Sequence, residues 1–115
     1  MEEHVWTDVP EERMNALVTR RAIHTANLTI ARIRLLKGAL VPLHHHVSEQ
    51  VTTVESGRLV CRMAGRGIIL EAGGVLVIPP DLPHEVEALE DSLATDVFAP
   101  RREDWIRGDD AYLRK

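Results

Sequence analysis

Pro42-Leu43-His44-His45-His46-Val47-Ser48-Glu49-Gln50 is the stretch on which the fold and the chemistry turn. Side chains alternate in an extended segment, so His44 and His46 point one way and His45 the other. Two imidazoles two residues apart on one strand face can reach a single metal ion. The same three histidines also suit an exposed loop, and the stretch by itself leaves both readings open. His45, facing the other way, is expected to be solvated. His4 and His24 have no partner nearby in the sequence and are expected to be incidental.

Outward from this stretch the punctuation is that of strands. Upstream, Leu28 to Leu36 places Leu28, Ile30, Arg32 and Arg34 on one face and Thr29, Ala31, Ile33 and Leu35 on the other, and Gly38 ends the run. Downstream, Val51 to Glu55 leads through Ser56-Gly57 into Arg58–Met63, a predicted hairpin. Gly65 and Gly67 flank the next turn before Ile68-Ile69-Leu70, and Ala72-Gly73-Gly74 precedes the apolar run Val75–Ile78, which Pro79-Pro80 stops. Val86 to Leu89 and Leu93 to Phe98 supply two more runs. About eight to ten closely spaced strands predict an all-β sandwich or barrel. Two places read as helical. Glu11 to Val18, with Pro10 suited to a first helical position, is expected to form a turn or two. The charged tail from Arg101 to Lys115 is the other, with Trp105, Ile106 and Tyr112-Leu113 as anchors onto the barrel.

The chain has 115 residues, 14 basic against 18 acidic, and a net charge of −4. That length predicts one domain, residues 1–115, with a barrel core at about 16–100 and a tail over 101–115. No basic stripe is present and only four aromatic residues occur, Trp6, Phe98, Trp105 and Tyr112, which argues against nucleic acid as a partner. No apolar run approaches the ~20 residues that span a bilayer, and no secretory leader is legible, so neither a membrane nor export is expected. Cys61 is the single cysteine, so no intrachain disulfide forms and a cytoplasmic location is the expectation.

The spacing Gly38, five residues, His44-x-His46, three residues, Gln50, six residues, Gly57 resembles the first motif of the cupin superfamily. A second motif follows one hairpin later as Gly73, five residues, Pro79, Pro80-Asp81-Leu82-Pro83, then His84. Asp81 stands where that motif carries a glycine, a mild change because Asp tolerates left-handed backbone. The resemblance implies a single double-stranded β-helix, or jelly-roll, barrel, with His44, His46 and His84 as metal ligands. Most metal-binding cupins carry a glutamate where this chain has Gln50. Glu49 is the neighbouring candidate, but Gln50 has the matching spacing to Gly57 and shares the parity of Thr52 and Val54. It is therefore favoured, since a one-residue shift on a strand reverses side-chain direction. The set implies one divalent transition metal per chain, and Zn, Ni, Mn, Fe and Co all suit it.

Leu93 to Phe98 carries a second constellation. Alternation puts Ala94, Asp96 and Phe98 on one face, so Asp96 and Phe98 are either both solvated or both inside the barrel. The passage Asp96-Val97-Phe98-Ala99-Pro100-Arg101-Arg102-Glu103-Asp104-Trp105, with Tyr112-Leu113-Arg114 following, resembles the C-terminal signature of the small pectin-degradation cupins that linearise unsaturated uronates. That resemblance implies His44, His46, Gln50 and His84 as ligands, Asp96 as catalytic acid/base, Phe98 as a pocket wall and Arg102 as a carboxylate contact. Arg102 read alone suits equally a surface pairing with Glu103 or Asp104.

The implied reaction converts 4,5-unsaturated hexuronates, released from pectin or alginate, to linear 5-keto-4-deoxyuronates. A small anionic sugar acid is the expected partner. The alternatives are a metal-dependent dioxygenase, distinguished by stoichiometric oxygen uptake, and a non-enzymatic sugar-binding cupin, distinguished by binding without turnover. A homodimer is also expected by resemblance, with the first ~25 residues, including Trp6 and Leu17 to Ile23, as candidate interface.

Overall fold

The computed structural model describes residues 1–114. Ten strands follow in order: β1 (Glu12–Asn15), β2 (Val18–His24), β3 (Thr29–Leu35), β4 (Leu40–His44), β5 (Glu49–Ser56), β6 (Arg58–Met63), β7 (Arg66–Glu71), β8 (Val75–Ile78), β9 (His84–Ala88) and β10 (Ser92–Ala99). A short helix α1 (Glu103–Arg107) and a 3-10 turn at Ala111–Leu113 close the chain, and another 3-10 turn at Trp6–Asp8 opens it. All pairings are antiparallel, in a six-stranded sheet ordered β1-β2-β3-β10-β5-β8 and a four-stranded sheet ordered β4-β9-β6-β7. This is the all-β jelly roll with a short helical tail. No helix among the described residues is long and apolar enough to cross a membrane.

The alternation read from the sequence accounts for the layering. Along β3, Thr29, Ala31 and Leu35 are buried while Arg34 is exposed; along β10, Ser92, Ala94, Asp96 and Phe98 are buried. The inner faces meet in one core around Ala31, Val54, Leu59, Cys61, Ile78 and Phe98. Truncating a side chain such as Leu59 to alanine there costs about 2–5 kcal/mol, through lost transfer energy and the cavity left behind.

Two turn positions hold the sheets in place. Gly57 joins β5 to β6 at φ +87°, and a Cβ there would collide with Ser92 Oγ and the Asp91 carbonyl, so only glycine fits. Asp81 has φ +61°, the left-handed geometry expected where it replaces a glycine, and its N–H donates to the His46 carbonyl at 2.8 Å.

The helical reading of Glu11 to Val18 is incorrect. Glu12–Asn15 pairs with β2, Met14 turns into the core, and Asn15 Oδ1 accepts the Leu17 N–H at 2.8 Å to shape the hairpin. Four residues are too few for periodicity to separate helix from strand, and Pro10 precedes either. The strands accordingly run from residue 12 to 99. In the tail, Trp105 and Leu113 are buried, but Ile106 is 46% exposed and anchors nothing.

Candidate metal centre

Register brings the histidines together. His44 ends β4 and His84 begins β9, and the two are cross-strand partners. His46 follows two residues beyond His44, and the ligating atoms of His44, His46 and His84 all lie within 4.8 Å of one another. Ring centroids are 4.3 Å apart for His44 and His84, 5.0 Å for His46 and His84, and 5.5 Å for His44 and His46.

Each imidazole is set by a backbone carbonyl two residues away. The Nδ1 atoms of His44, His46 and His84 lie 2.8, 2.9 and 2.8 Å from the carbonyls of Pro42, Ser48 and Leu82. A carbonyl only accepts, so Nδ1 carries the proton and Nε2 keeps its lone pair, the arrangement in which an outer hydrogen bond orients a metal ligand. His84 Nε2 is buried with no hydrogen-bond partner among the described residues. An unmatched buried acceptor costs about 1–3 kcal/mol, and a cation would satisfy it. Burial pushes the His44 pKa down to about 4, and burial is also the largest cause lowering those of His46 and His84, with the Arg102 charge adding to both. All three rings are thus neutral near pH 7, as ligation requires.

The facing sheet supplies the rest. In register, Gln50 lies opposite Phe98 and Thr52 opposite Asp96, so these four inward positions form a square on one sheet face. The Gln50 amide nitrogen donates to Thr52 Oγ1 at 2.9 Å and Asp96 Oδ1 at 3.4 Å, which turns its Oε1 toward His46 Nε2 at 3.0 Å. Thr52 Oγ1 donates to Asp96 Oδ1 at 2.6 Å. Burial raises the Asp96 pKa to about 6, against the hydrogen bonds from Thr52 and Gln50 and the charge of Arg102. Lone pairs on three imidazoles and an amide oxygen, with an orphaned Nε2 among them, fit a divalent transition metal. Those ligands are neutral, so a bound dication would keep its full charge and attract an anionic oxygen.

The remaining candidate residues fall as follows. Glu49 is exposed, as is His45, whose Nδ1 lies 4.0 Å from Asp81 Oδ1. His24 Nδ1 is 2.7 Å from Thr29 Oγ1, and His4 lies against Glu2. Phe98 is buried, with its ring edge-on to His46 and Trp105 at 5.5 and 5.0 Å. Arg102 holds Asp104 through two hydrogen bonds of 2.9 and 2.7 Å, the pairing one sequence reading expected, but Arg102 itself is 2% exposed rather than on the surface, and the pair is part-buried. Its guanidinium stacks over Phe98 and Trp105 at 4.8 and 4.5 Å, and aromatic planes hold it where water cannot. Cys61 is buried and its thiol pushed up to about 11, so it offers no nucleophile.

Thr52 and Tyr112 are site residues that the sequence reading did not single out. Thr52 shares the parity of Gln50, a signal that was available. Tyr112 stacks on His44 with centroids 4.6 Å apart, and no periodicity in the tail announces it. With Trp105 and Leu113 it closes a cavity of about 50 Å³ that His44, His84 and Asp96 also line.

The family model for the cupin domain matches residues 31–98, the span that carries both histidine stretches and β10. The chain belongs to the cupin family. Among solved structures, this cupin is similar to KdgF from a Halomonas species, with TM-score 0.82, 28% identity, and 88% of this chain and 96% of that one covered. It is similar also to an RmlC-like cupin from Shewanella frigidimarina, with TM-score 0.83, 26% identity, and coverage of 90% and 96%. Bacillus subtilis oxalate decarboxylase shares the fold, at TM-score 0.73 and 24% identity, with 83% of this chain and 28% of that one covered. No curated protein matches the cupin in sequence.

Proposed function

We propose that this cupin holds one divalent transition metal through His44, His46, Gln50 and His84 and converts 4,5-unsaturated hexuronates to linear 5-keto-4-deoxyuronates. The observation that carries the reading is the buried Asp96 carboxyl, with its pKa raised to about 6, hydrogen-bonded to the same Gln50 whose oxygen faces the imidazoles. The likeness to KdgF supports the substrate class, since the small pectin-degradation cupins are those whose C-terminal signature Asp96 to Trp105 resembles.

The reaction is an isomerisation. The C1–O5 hemiacetal bond breaks as the O1 proton leaves, giving an aldehyde at C1 and an enol oxygen at C5. Protonation at C4 then gives the C5 ketone, with no oxidation or reduction. Bound at the histidines, a divalent ion supplies Lewis-acid stabilisation of the negative charge developing at the carboxylate and the C5 oxygen. Asp96 as the carboxylate takes the oxygen-bound proton and as the acid returns it to C4, and a pKa near 6 suits both halves near neutral pH. Thr52 orients the Asp96 oxygen, Phe98 walls off water, and Arg102 faces the substrate carboxylate. The cavity of about 50 Å³ is small beside the ~300–1,000 Å³ of typical ligand pockets.

The reading extends to a homodimer. Ile23, Ile30, Val97, Val51 and Val77 are in register across five strands on the outer face of the larger sheet, an apolar row that a second copy would cover. Ring opening of unsaturated galacturonate, followed by proton NMR with metal-loaded and with chelated protein, tests the activity. Appearance of the open-chain ketone only with the loaded protein is expected, and an equal rate after complete metal removal contradicts it.

A further inference from the structure

The Tyr112 hydroxyl has two hydrogen-bond contacts, and both are to donors: Arg102 Nη2 at 2.6 Å and Trp105 Nε1 at 3.4 Å. A guanidinium and an indole N–H only donate, so the phenol oxygen accepts from both and its own proton is committed to neither. No acceptor among the described residues takes that proton. Arg102 is in the same position. Its Nε and Nη2 are engaged by Asp104 and Tyr112, while its Nη1, on a side chain 98% buried by its 2% exposure, makes no hydrogen bond among the described residues. Two sets of unspent donors therefore stand on neighbouring residues that line one cavity.

The position of the hydroxyl is built from both ends of its turn. Asp110, fully buried, pairs with Arg20 at 2.9 Å and with Arg114 at 3.0 Å just before the turn begins. Asn15 Nδ2 donates to the Leu113 carbonyl at 3.1 Å just after the tyrosine. The Tyr112 ring meanwhile stacks on His44, at an interplanar angle of 27°. A phenol fixed by this many contacts, with its proton left over in a cavity, is placed to receive an acceptor from outside the chain.

We propose that Tyr112 is a substrate-binding residue, its O–H and the Nη1 of Arg102 forming a two-donor clamp on the carboxylate of a sugar acid, one oxygen to each. Arg102 supplies charge and Tyr112 a neutral donor at a set angle, so the pair reads a planar two-oxygen anion rather than a single alkoxide or hydroxyl. The identity of the anion as a hexuronate rests on the function proposed above; the clamp itself rests on the two unspent donors.

Tyr112→Phe keeps the ring over His44 and removes the hydroxyl, both its free proton and the oxygen that accepts from Arg102 and Trp105, so metal content is expected to stay as in the wild type while the thermal midpoint falls somewhat. Calorimetric titration of the metal-loaded protein with galacturonate, a saturated acid lacking the reacting alkene, and with its methyl ester reads the clamp without turnover. Galacturonate binding is expected to weaken about tenfold in Tyr112→Phe, as for loss of a hydrogen bond to a charged group. Ester binding is expected to change much less. The acid-to-ester ratio is internal to each sample and so remains readable if some of the variant misfolds. Equal galacturonate affinity in the two proteins, equal losses for acid and ester, or no binding of galacturonate to the wild type each overturns the clamp. Wild-type turnover of unsaturated galacturonate with a Tyr112-independent affinity leaves the function standing and removes the clamp. Tyr112-dependent binding without any turnover does the reverse.

Discussion

Gln50 Oε1 and His46 Nε2 face each other at 3.0 Å, and both are acceptors, since Nδ1 of His46 carries the ring proton toward Ser48 and the Gln50 amide donates to Thr52 and Asp96. Two lone pairs at that distance repel unless both share a cation, a metal ion or a proton on Nε2. Gln50→Leu is therefore expected to keep the fold and lose at least about tenfold in divalent-metal affinity, a loss of the order that outer-shell changes at metal sites produce. Gln50→Glu should bind the ion more tightly than the wild type. Competition against a chromogenic chelator measures both, and an unchanged affinity in Gln50→Leu would show that the amide is no ligand.

The 2.6 Å bond from Thr52 helps to hold the Asp96 pKa down against burial. Thr52→Val preserves shape and removes the donor, so the Asp96 pKa rises further and the acidic limb of the kcat profile moves to higher pH, by up to about one unit. Asp96→Asn should retain metal while losing about 10²–10⁴ in kcat, the usual weight of a general acid/base. Full activity in metal-loaded Asp96→Asn removes Asp96 from the mechanism.

Stability of the chelated protein follows the histidines. Burial lowers the His44 pKa from 6.5 to about 4 and lowers those of His46 and His84 in the same direction. Above pH 6.5 folded and unfolded chains are both neutral at these sites. Between 6.5 and about 4 the unfolded chain takes up protons that the folded chain refuses, so stability falls as pH falls. Asp96 opposes this, because the folded chain takes its proton first from about pH 6 down to 3.8. Three groups outweigh one, and the thermal midpoint of the chelated protein should drop from pH 7 to pH 5. A midpoint that climbs over that range contradicts the assignment of buried neutral imidazoles.

Much of the site is legible in residue spacing because strands impose it. His44-x-His46 shares a face by alternation, and parity separates Gln50, which is buried, from Glu49, which is exposed. The side on which Asp96 lies could not be read from alternation alone, since the pattern only ties it to Phe98. Burial of the pair follows from which face of the larger sheet packs against the smaller one, a matter of tertiary packing. The tail is the least legible part. Arg102, Trp105 and Tyr112 come together through a five-residue helix and a 3-10 turn with no repeating pattern, and the tail is tied to strands 73 to 98 residues earlier. The short strand β1 is illegible for a related reason: its partner, not its own four residues, makes it a strand.

Arg20 and Asp110 hold that tail. They are 3% and 0% exposed and 2.9 Å apart through Arg20 Nη2, and Arg20 Nε and Nη1 have no hydrogen-bond partner among the described residues. Asp110→Ala leaves a buried guanidinium short of its main counter-charge and should destabilise the fold by about 3–5 kcal/mol. Thermal or urea unfolding measures this, and a loss below about 1 kcal/mol would show that Glu12 and solvent compensate Arg20 instead.

Metal analysis of the wild type beside His84→Ala tests the central claim most directly, because residue 84 is the one imidazole contributed from the far side of the barrel sequence. One divalent ion per chain in the wild type, and less than about a tenth of that in a folded His84→Ala, is the expected result. Full metal occupancy in His84→Ala would contradict the account.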